Sequence, residues 1–201
     1  MSATRPQLPA EFVAAHKRRR MIDAMAALCA EQGYEATKIA DVVRRAHVAR
    51  KTLYDNFSGK EDLFLAAFDT TLADAEAEIA EACDAIDADE WEARTEAGLR
   101  ALLGFVAAHP EAAALAFVEA PAATPTSAAR YEAALEGFIA RLRESAPPGP
   151  VRPVTLEEAL VGGAVWIVQR QVRRGAAADA RDLLPELAEF VVSPYRGVGK
   201  R

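Results

Sequence analysis

The sequence predicts an all-α protein, in which an N-terminal three-helix helix-turn-helix domain joins a C-terminal helical bundle through a long fourth helix. Three observations support this class. Apolar residues recur at helical spacing over long stretches, alanine is abundant, and runs of β-branched residues are scarce. The composition, 51% hydrophobic and 27% charged, is that of an ordinary globular protein, and 201 residues suffice for a sizeable core.

The first helix is expected from about Glu11 to Gln32, after a flexible arm at residues 1–10. Gly33 is a typical residue just past a helix end, and Tyr34 follows as an apolar anchor. The basic run 16–20 (HKRRR) gives this helix a dense cationic face.

Residues 37–60 organise the domain as two short helices joined by a tight turn. Thr37 is a suitable N-cap for the first of them. The buried positions of both helices follow helical spacing, at Ile39, Val42, Val43, Val48, Leu53 and Phe57. The positions left facing outward are basic or hydrogen-bonding, namely Arg50, Lys51, Tyr54, Asp55 and Asn56. Such a helix suits insertion into the major groove of DNA.

The fourth helix is predicted to start near Gly59, because Ser58 and Glu61 have the spacing of a capping box. Its apolar period continues to about Ile86, which places a domain boundary inside a helix. We therefore expect a DNA-binding domain at 11–58 and a ligand-binding and dimerisation domain at 59–201. The later helices are expected at about 89–108, 110–120, 125–145, 155–175 and 179–192.

Charge is distributed unevenly between these parts. Residues 1–62 carry 11 Lys and Arg against 8 Asp and Glu, and residues 63–201 carry 13 against 22, within an overall net charge of −6. A basic end on an acidic protein offers a local patch to phosphates while limiting indiscriminate binding.

Several classes of function have little support. The three histidines have no acidic or cysteine neighbours at metal-ligand spacing, and neither a phosphate-binding glycine loop nor a nucleophile elbow is found. We therefore expect no enzyme activity, no metal site and no cofactor. Cys29 and Cys83 are expected as free thiols, and the absence of a signal peptide or apolar span favours a cytoplasmic protein without a membrane partner.

Three motifs occur together in this part of the chain: GYEAT at 33–37, DV at 41–42 and TLYDNFSGKEDL at 52–63. Through them, residues 11–65 resemble the TetR family of bacterial transcriptional regulators. The resemblance implies that the third helix reads the major groove and that Thr37, Tyr54 and Lys60 contact phosphates. Arg50 and Lys51 are the candidates for base edges. The full set of expected DNA-binding residues is Thr37, Lys38, Arg50, Lys51, Thr52, Tyr54, Asn56 and Lys60.

Five residues depart from the family pattern in this stretch, among them Lys51, where a small residue is common, and Val43, which replaces a common alanine. His47 stands where glycine is usual in the turn, Ala49 where Ser or Thr commonly caps the third helix, and Asp55 where a basic or aromatic residue is frequent. Histidine tolerates a positive φ better than most residues do, at some cost in energy. The departures leave the operator sequence open, but not the docking mode.

The C-terminal part resembles a regulatory domain common among actinobacterial TetR-type proteins, through HPE at 109–111, VEAP at 118–121 and LVGG at 160–163. This resemblance implies dimerisation and effector binding. Candidate dimer residues lie in the last two helices: Leu160, Gly162, Gly163, Ile167, Leu184, Leu187, Phe190 and Val191. Candidate pocket residues are aromatic: Phe68, Trp91, Phe105, Phe117, Phe138 and Trp166.

Together these features predict a homodimeric repressor that binds a palindromic double-stranded operator and is released by a small-molecule effector. The alternative is an all-α small-molecule-binding or interaction protein that has lost specific DNA binding, which the residues His47, Ala49 and Asp55 keep open.

Overall fold

The computed structural model describes residues 10–149 and 152–196, and every regular element among them is helical, as the sequence predicts. The flexible arm expected at residues 1–10 lies outside the described residues, apart from Ala10, where the first helix begins. The chain divides into two compact units between Ala67 and Phe68, within a helix. Each unit is described by itself below.

Helix α1 runs over Ala10–Ala36 and is interrupted at Gly33, which has φ 81° and ψ 162°. A positive φ favours glycine because no Cβ clashes with the backbone, so the continuous first helix ends where the sequence predicts. The apolar face of this helix is buried at Ile22, Met25, Ala26 and Cys29. Tyr34, just past the break, packs edge-on against Phe64 with 4.7 Å between ring centroids.

Helices α2 (Ile39–Arg45) and α3 (Arg50–Tyr54) follow. The predicted N-cap was wrong by one residue, since Lys38 holds the N-cap position of α2 and makes no side-chain cap hydrogen bond. Thr37 is instead buried, and its hydroxyl donates to the Gly33 carbonyl at 2.8 Å. This hydrogen bond satisfies a carbonyl that the break in α1 leaves without its helical partner.

Helix α4 runs over Lys60–Asp84. The capping carboxylate that the structure shows is that of Asp62, which accepts the Ser58 backbone N–H at 2.7 Å, rather than that of Glu61 as expected. The first unit closes around α4, where Leu63 and Phe64 are fully buried with Met21 and Leu53.

The second unit contains the remainder of α4 and the helices that follow it. These are α5 (Trp91–Ala108), α6 (Pro110–Ala114), a π-helical segment (Leu115–Glu119), α7 (Ala120–Ala123), α8 (Pro125–Ser145), α9 (Leu156–Arg173), a 3-10 segment (Ala177–Leu183), α10 (Leu184–Val192) and a final 3-10 turn (Ser193–Tyr195). A buried cluster from α5, α6, α9 and α10 holds them together, and its central residues are Leu103, Val106, Ala113, Val168 and Leu187.

Among the described residues, no single helix has the length and apolar character of a membrane span. The bent pair Trp91–Ala108 and Pro110–Ala123 meets those two criteria only jointly, across a bend of 106°.

Candidate nucleic-acid interface and ligand cavity

The turn between α2 and α3 is built around His47, the described non-glycine residue with a positive φ, at 50°. Arg20 of α1 holds this turn, because its Nη2 donates to the His47 carbonyl at 3.2 Å and also to the Ala46 carbonyl. Ala49 occupies the N-cap of α3 with no side-chain cap bond, as expected for alanine. The departures at His47 and Ala49 therefore leave a turn between two helices intact.

Helix α3 presents a polar outer face. Leu53 is fully buried, whereas the side chains expected to face outward are exposed: Arg50, Lys51, Tyr54, Asp55 and Asn56. Tyr54 is 47% exposed, which places its phenol on the surface rather than in the core. The Arg50 guanidinium lies 5.6 Å from the Tyr54 ring centroid, with Nη2 3.4 Å from the phenol oxygen. The Asn56 amide donates to the Thr52 carbonyl at 2.8 Å. These contacts pre-order the face.

Two cations flank α3 in the same unit. Lys60 is the first residue of α4, where backbone N–H groups also favour an anion. Its Nζ donates to the Glu35 carbonyl at 3.3 Å and lies 3.9 Å from the Tyr34 ring centroid. Lys38 is exposed at the start of α2. Thr37, expected among the phosphate contacts, is only 1% exposed, so its side chain supports the turn and is not on the surface.

The second unit contains a partly open cavity of about 680 Å³, which is within the range typical of small-molecule sites. Helices α4, α5, α8, α9 and α10 all contribute to its wall, together with the π-helical segment. Four of the six aromatic residues predicted for a pocket lie on this wall: Phe68, Trp91, Phe117 and Phe138.

The prediction was wrong for the other two aromatic residues, which do not line the cavity. Phe105 is buried on another side of α5, where its ring lies 4.7 Å from that of His109. Trp166 is 56% exposed on α9, with the Arg170 guanidinium 4.7 Å from its ring centroid. Helical spacing identifies apolar positions, but it does not tell which of two apolar faces meets a cavity.

Charged residues on the cavity wall were not predicted. Arg141 of α8 lies 4.5 Å from the Phe138 ring centroid and pairs with the Glu76 carboxylate at 2.6 Å. Arg94 of α5 lies 4.0 Å from the Asp84 carboxylate. One signal was present in the sequence, since Arg141 follows the pocket residue Phe138 at i+3 and so shares its helix face.

Burial raises the pKa of two weakly acidic side chains on the same wall, Tyr131 and Cys83. It raises the pKa of the Tyr131 phenol, although Arg173 acts in the opposite direction. Burial also raises the pKa of the Cys83 thiol, which donates to the Arg94 carbonyl at 3.5 Å. Both side chains therefore stay neutral at pH 7, and the cavity wall gains no charge from them.

The π-helical segment reaches from the cavity to α9. Phe117 lies on the cavity wall, and its backbone carbonyl accepts the Gln169 amide at 2.6 Å. A π-bulge widens the turn and disrupts the regular hydrogen-bond ladder, and it is frequent at functional sites. Nothing in the sequence pattern predicted it.

The predicted dimer residues fall into two groups. Leu160, Leu187 and Val191 are buried on the cavity wall of their own chain, so these three predictions were wrong for a surface role. Gly162 and Phe190 are exposed, whereas Gly163, Ile167 and Leu184 are partly exposed. An added Cβ at Gly163 would lie 2.9 Å from Phe190 Cζ, so this glycine permits close packing of α9 on α10. The outer apolar face is defined by Gly162, Gly163, Trp166, Ile167 and Phe190.

Within the described ranges, no group of three or more His, Cys, Asp or Glu side chains is arranged to hold a metal ion.

Comparison with known proteins bears on both units. Residues 21–67 match the family model described as bacterial regulatory proteins, tetR family. This match confirms the family resemblance for the first unit, and it supports a DNA-binding transcriptional regulator. A search of curated proteins gave no match.

Solved structures share the fold over nearly the whole chain. The fatty acid degradation regulator FadR from Bacillus halodurans has a TM-score of 0.78 at 18% identity, covering 92% of this chain and 97% of that one. FadR from Bacillus subtilis, solved in complex with stearoyl-CoA, has a TM-score of 0.76 at 18% identity, covering 87% and 97%. A TetR-like transcriptional regulator from Rhodococcus sp. RHA1 has a TM-score of 0.69 at 22% identity, covering 96% and 100%.

Proposed function

We propose that this chain, whose first unit belongs to the tetR family of bacterial regulatory proteins, is a dimeric repressor released from its operator by a small molecule with a long apolar part. The observation that carries the proposal is the combination in one chain of a surface helix-turn-helix with a mainly apolar, partly open cavity of about 680 Å³.

The DNA-binding part of the proposal assigns separate roles along α3. Arg50 and Lys51 are exposed in its first turn and contact base edges in the major groove. Tyr54 and Lys60 contact phosphates, with Lys38, Thr52 and Asn56 beside them. The Asp55 carboxylate repels phosphate but accepts a hydrogen bond from a cytosine amino group.

The effector part rests on the apolar wall of the cavity and on one neighbour. That neighbour binds stearoyl-CoA and shares this fold. Phe68, Leu72, Leu102 and Phe117 line the cavity here, so a long hydrocarbon chain is the class of ligand that fits it. Its binding shifts the population of dimers away from the spacing that engages both operator halves.

The dimer part rests on the outer apolar face of α9 and α10 (Gly162, Gly163, Trp166, Ile167 and Phe190). Exposed aromatic residues beside small residues permit close helix packing, and a two-fold interface pairs the same patch from each chain. In sedimentation measurements, Trp166→Glu should give a monomer. Val154→Glu is the matched control, because Val154 is 83% exposed in the turn before α9 and lies outside this face.

Selection from a random duplex pool tests the DNA-binding proposal. The enriched sequences should form an inverted repeat whose half-sites lie about 10 base pairs apart or a multiple of that spacing. Enrichment of no sequence would favour the small-molecule-binding alternative.

A further inference from the structure

The charged residues of the cavity wall lie in one half of the cavity, from Glu76 at the middle of its α4 wall to Asp84 at one end. They are Glu76 and Asp84 of α4, Arg94 of α5, and Arg141 and Glu144 of α8. The other half, around Phe68, Leu102, Ala116 and Phe117, is apolar. Along α4, Phe68 lies about 12 Å from Glu76 at the helical rise of 1.5 Å per residue, and Asp84 lies about 12 Å farther on. The cavity therefore has the polarity of an amphiphile, with an apolar part of about 12 Å and a polar part beyond it.

Arg141, which pairs with Glu76 where the apolar and the charged halves meet, is the best-placed group to bind the head of such an amphiphile. Its guanidinium is held by the Phe138 ring at 4.5 Å and by Glu76 at 2.6 Å through Nη2. A guanidinium has five N–H donors, so it can hold one carboxylate and still donate to a second acceptor. Fixing its position beforehand reduces the entropy cost of binding.

The loop that borders this end of the cavity is acidic. It connects Asp84 to Trp91, both of which lie on the cavity wall, and it carries Asp87, Asp89 and Glu90 on exposed positions. We call these three residues the acidic rim. Two nearby arginines are engaged with carboxylates, since Arg196 pairs with Glu92 and Glu189, and Arg143 lies near Glu157 and Glu158. A third, Arg152, lies over the Tyr195 ring and donates to the Pro147 carbonyl at 2.7 Å.

The acidic rim should discriminate between two kinds of ligand head group. A single carboxylate or carbonyl oxygen at Arg141 finds donors that are already in place. A coenzyme A thioester carries several phosphate charges, which would lie outside the cavity beside the acidic rim. Repulsion between like charges at such an entrance lowers both the rate and the affinity of binding.

We infer that the effector is a long-chain amphiphile whose head is one acceptor group bound by Arg141, and that the acidic rim excludes polyanionic acyl thioesters. The inference rests on the proposed function, because it names the ligand of the proposed effector cavity. It separates this chain from the neighbour that was solved with stearoyl-CoA.

Calorimetric titration of the full chain with dodecanoate and with dodecanoyl-CoA tests the inference, since the two ligands differ only in the head. Dodecanoate should bind at least about tenfold more tightly. Equal binding, or tighter binding of the thioester, would overturn the inference and leave the effector-responsive regulator standing. If neither ligand binds, the inferred ligand class is wrong, whereas the duplex selection still decides DNA binding independently.

Two matched pairs of variants separate the parts of the inference. Arg141→Met should weaken dodecanoate binding by about tenfold or more, because a charge-assisted hydrogen bond is lost. Arg130→Met is its control, since Arg130 also pairs from α8 to α4, with Asp69, but lies outside the cavity wall. Unchanged dodecanoate affinity in the folded Arg141→Met variant would overturn the role of Arg141.

The second pair tests the rim. Asp87→Lys with Asp89→Lys should raise dodecanoyl-CoA affinity by about tenfold and change dodecanoate affinity much less, because the thioester carries more charge. The control is Asp179→Lys with Asp182→Lys, in the 3-10 segment whose Arg181 lies beside Gly104. Gly104 is about 20 Å along α5 from Trp91, which is beyond the screening length. If the two charge-reversed double variants changed dodecanoyl-CoA affinity equally, the role of the acidic rim would be overturned.

Discussion

Tyr195 donates its hydroxyl to the Glu157 carboxylate at 2.9 Å, in a contact buried between the C-terminal 3-10 turn and the first turn of α9. Burial alone raises the pKa of Glu157, but its helical backbone N–H, the Tyr195 hydroxyl and Arg143 outweigh burial and lower it below the usual 4.5. Burial and the same hydrogen bond raise the pKa of Tyr195 to about 12. The pair therefore favours an ionised glutamate and a neutral tyrosine.

This pair predicts a pH-dependent contribution to stability. A lowered pKa in the folded state means that ionised Glu157 stabilises the fold above pH 4.5, and that this contribution is lost as pH falls further through the folded pKa. Glu157→Gln should lower the free energy of unfolding by about 1–3 kcal/mol at pH 7. Denaturant titrations from pH 7 to pH 3 should show the difference from wild type shrinking, and a constant difference would contradict the assignment.

Replacing His47 tests the strain in the turn between α2 and α3. His47 has a φ of 50°, a conformation that costs a non-glycine residue about 1–2 kcal/mol. His47→Gly removes that cost but adds backbone entropy to the unfolded chain, so we expect a gain of up to about 1 kcal/mol. His47→Val should destabilise, because a β-branched residue fits this conformation poorly. Chemical denaturation checks both variants, and a marked loss of stability in His47→Gly would show that the imidazole itself stabilises the turn.

Two adjacent glycines in α9 should respond differently to alanine. At Gly163 the new Cβ would lie 2.9 Å from Phe190, so the ring must shift at a cost of about 1–3 kcal/mol. At Gly162 no heavy atom lies within 4 Å, and alanine gains about 1 kcal/mol of helix propensity. Thermal unfolding of both variants measures the difference. Equal stability of the two would mean that Phe190 moves aside at little cost.

Substitutions in α3 and at the start of α4 should distinguish residues that set the affinity for DNA from those that set the sequence specificity. Tyr54→Ala or Lys60→Ala should weaken binding to all operator variants alike, because phosphate contacts carry no sequence information. Arg50→Ala should relax the preference at particular base pairs by about 1–3 kcal/mol. A panel of single-base operator variants measures this, and uniform weakening by Arg50→Ala would contradict its role as a base reader. Because Arg50 also contacts Tyr54, the losses of binding free energy in Arg50→Ala and Tyr54→Ala should not add up in the double variant.

Much of the fold followed from local rules. Pro125 and Ser145 bound α8 as predicted, because a first-turn proline starts a helix and the apolar period then continues without interruption. Gly33 and His47 likewise have the positive φ values that their positions suggested. Local sequence determines such features, so they are readable without knowledge of tertiary contacts.

The cavity and the outer face of α9 were only partly predictable. Leu160 and Trp166 both belong to the apolar pattern of α9, yet the first lines the cavity and the second is exposed. Periodicity shows that a side chain is apolar, not whether its neighbour is its own core, a ligand or another copy. The Phe117 carbonyl, in the π-helical segment, accepts a hydrogen bond from Gln169, 52 residues away, and a local pattern does not reveal such a contact.

The central claim is that the first unit binds DNA through α3. A mobility-shift titration with the DNA upstream of the chain's own gene, repeated at two salt concentrations, tests it most directly. We predict a shift whose affinity falls steeply as salt rises, because binding releases counterions from the contacted phosphates, and a smaller salt dependence for Lys60→Ala. The absence of any salt-dependent shift would contradict the claim.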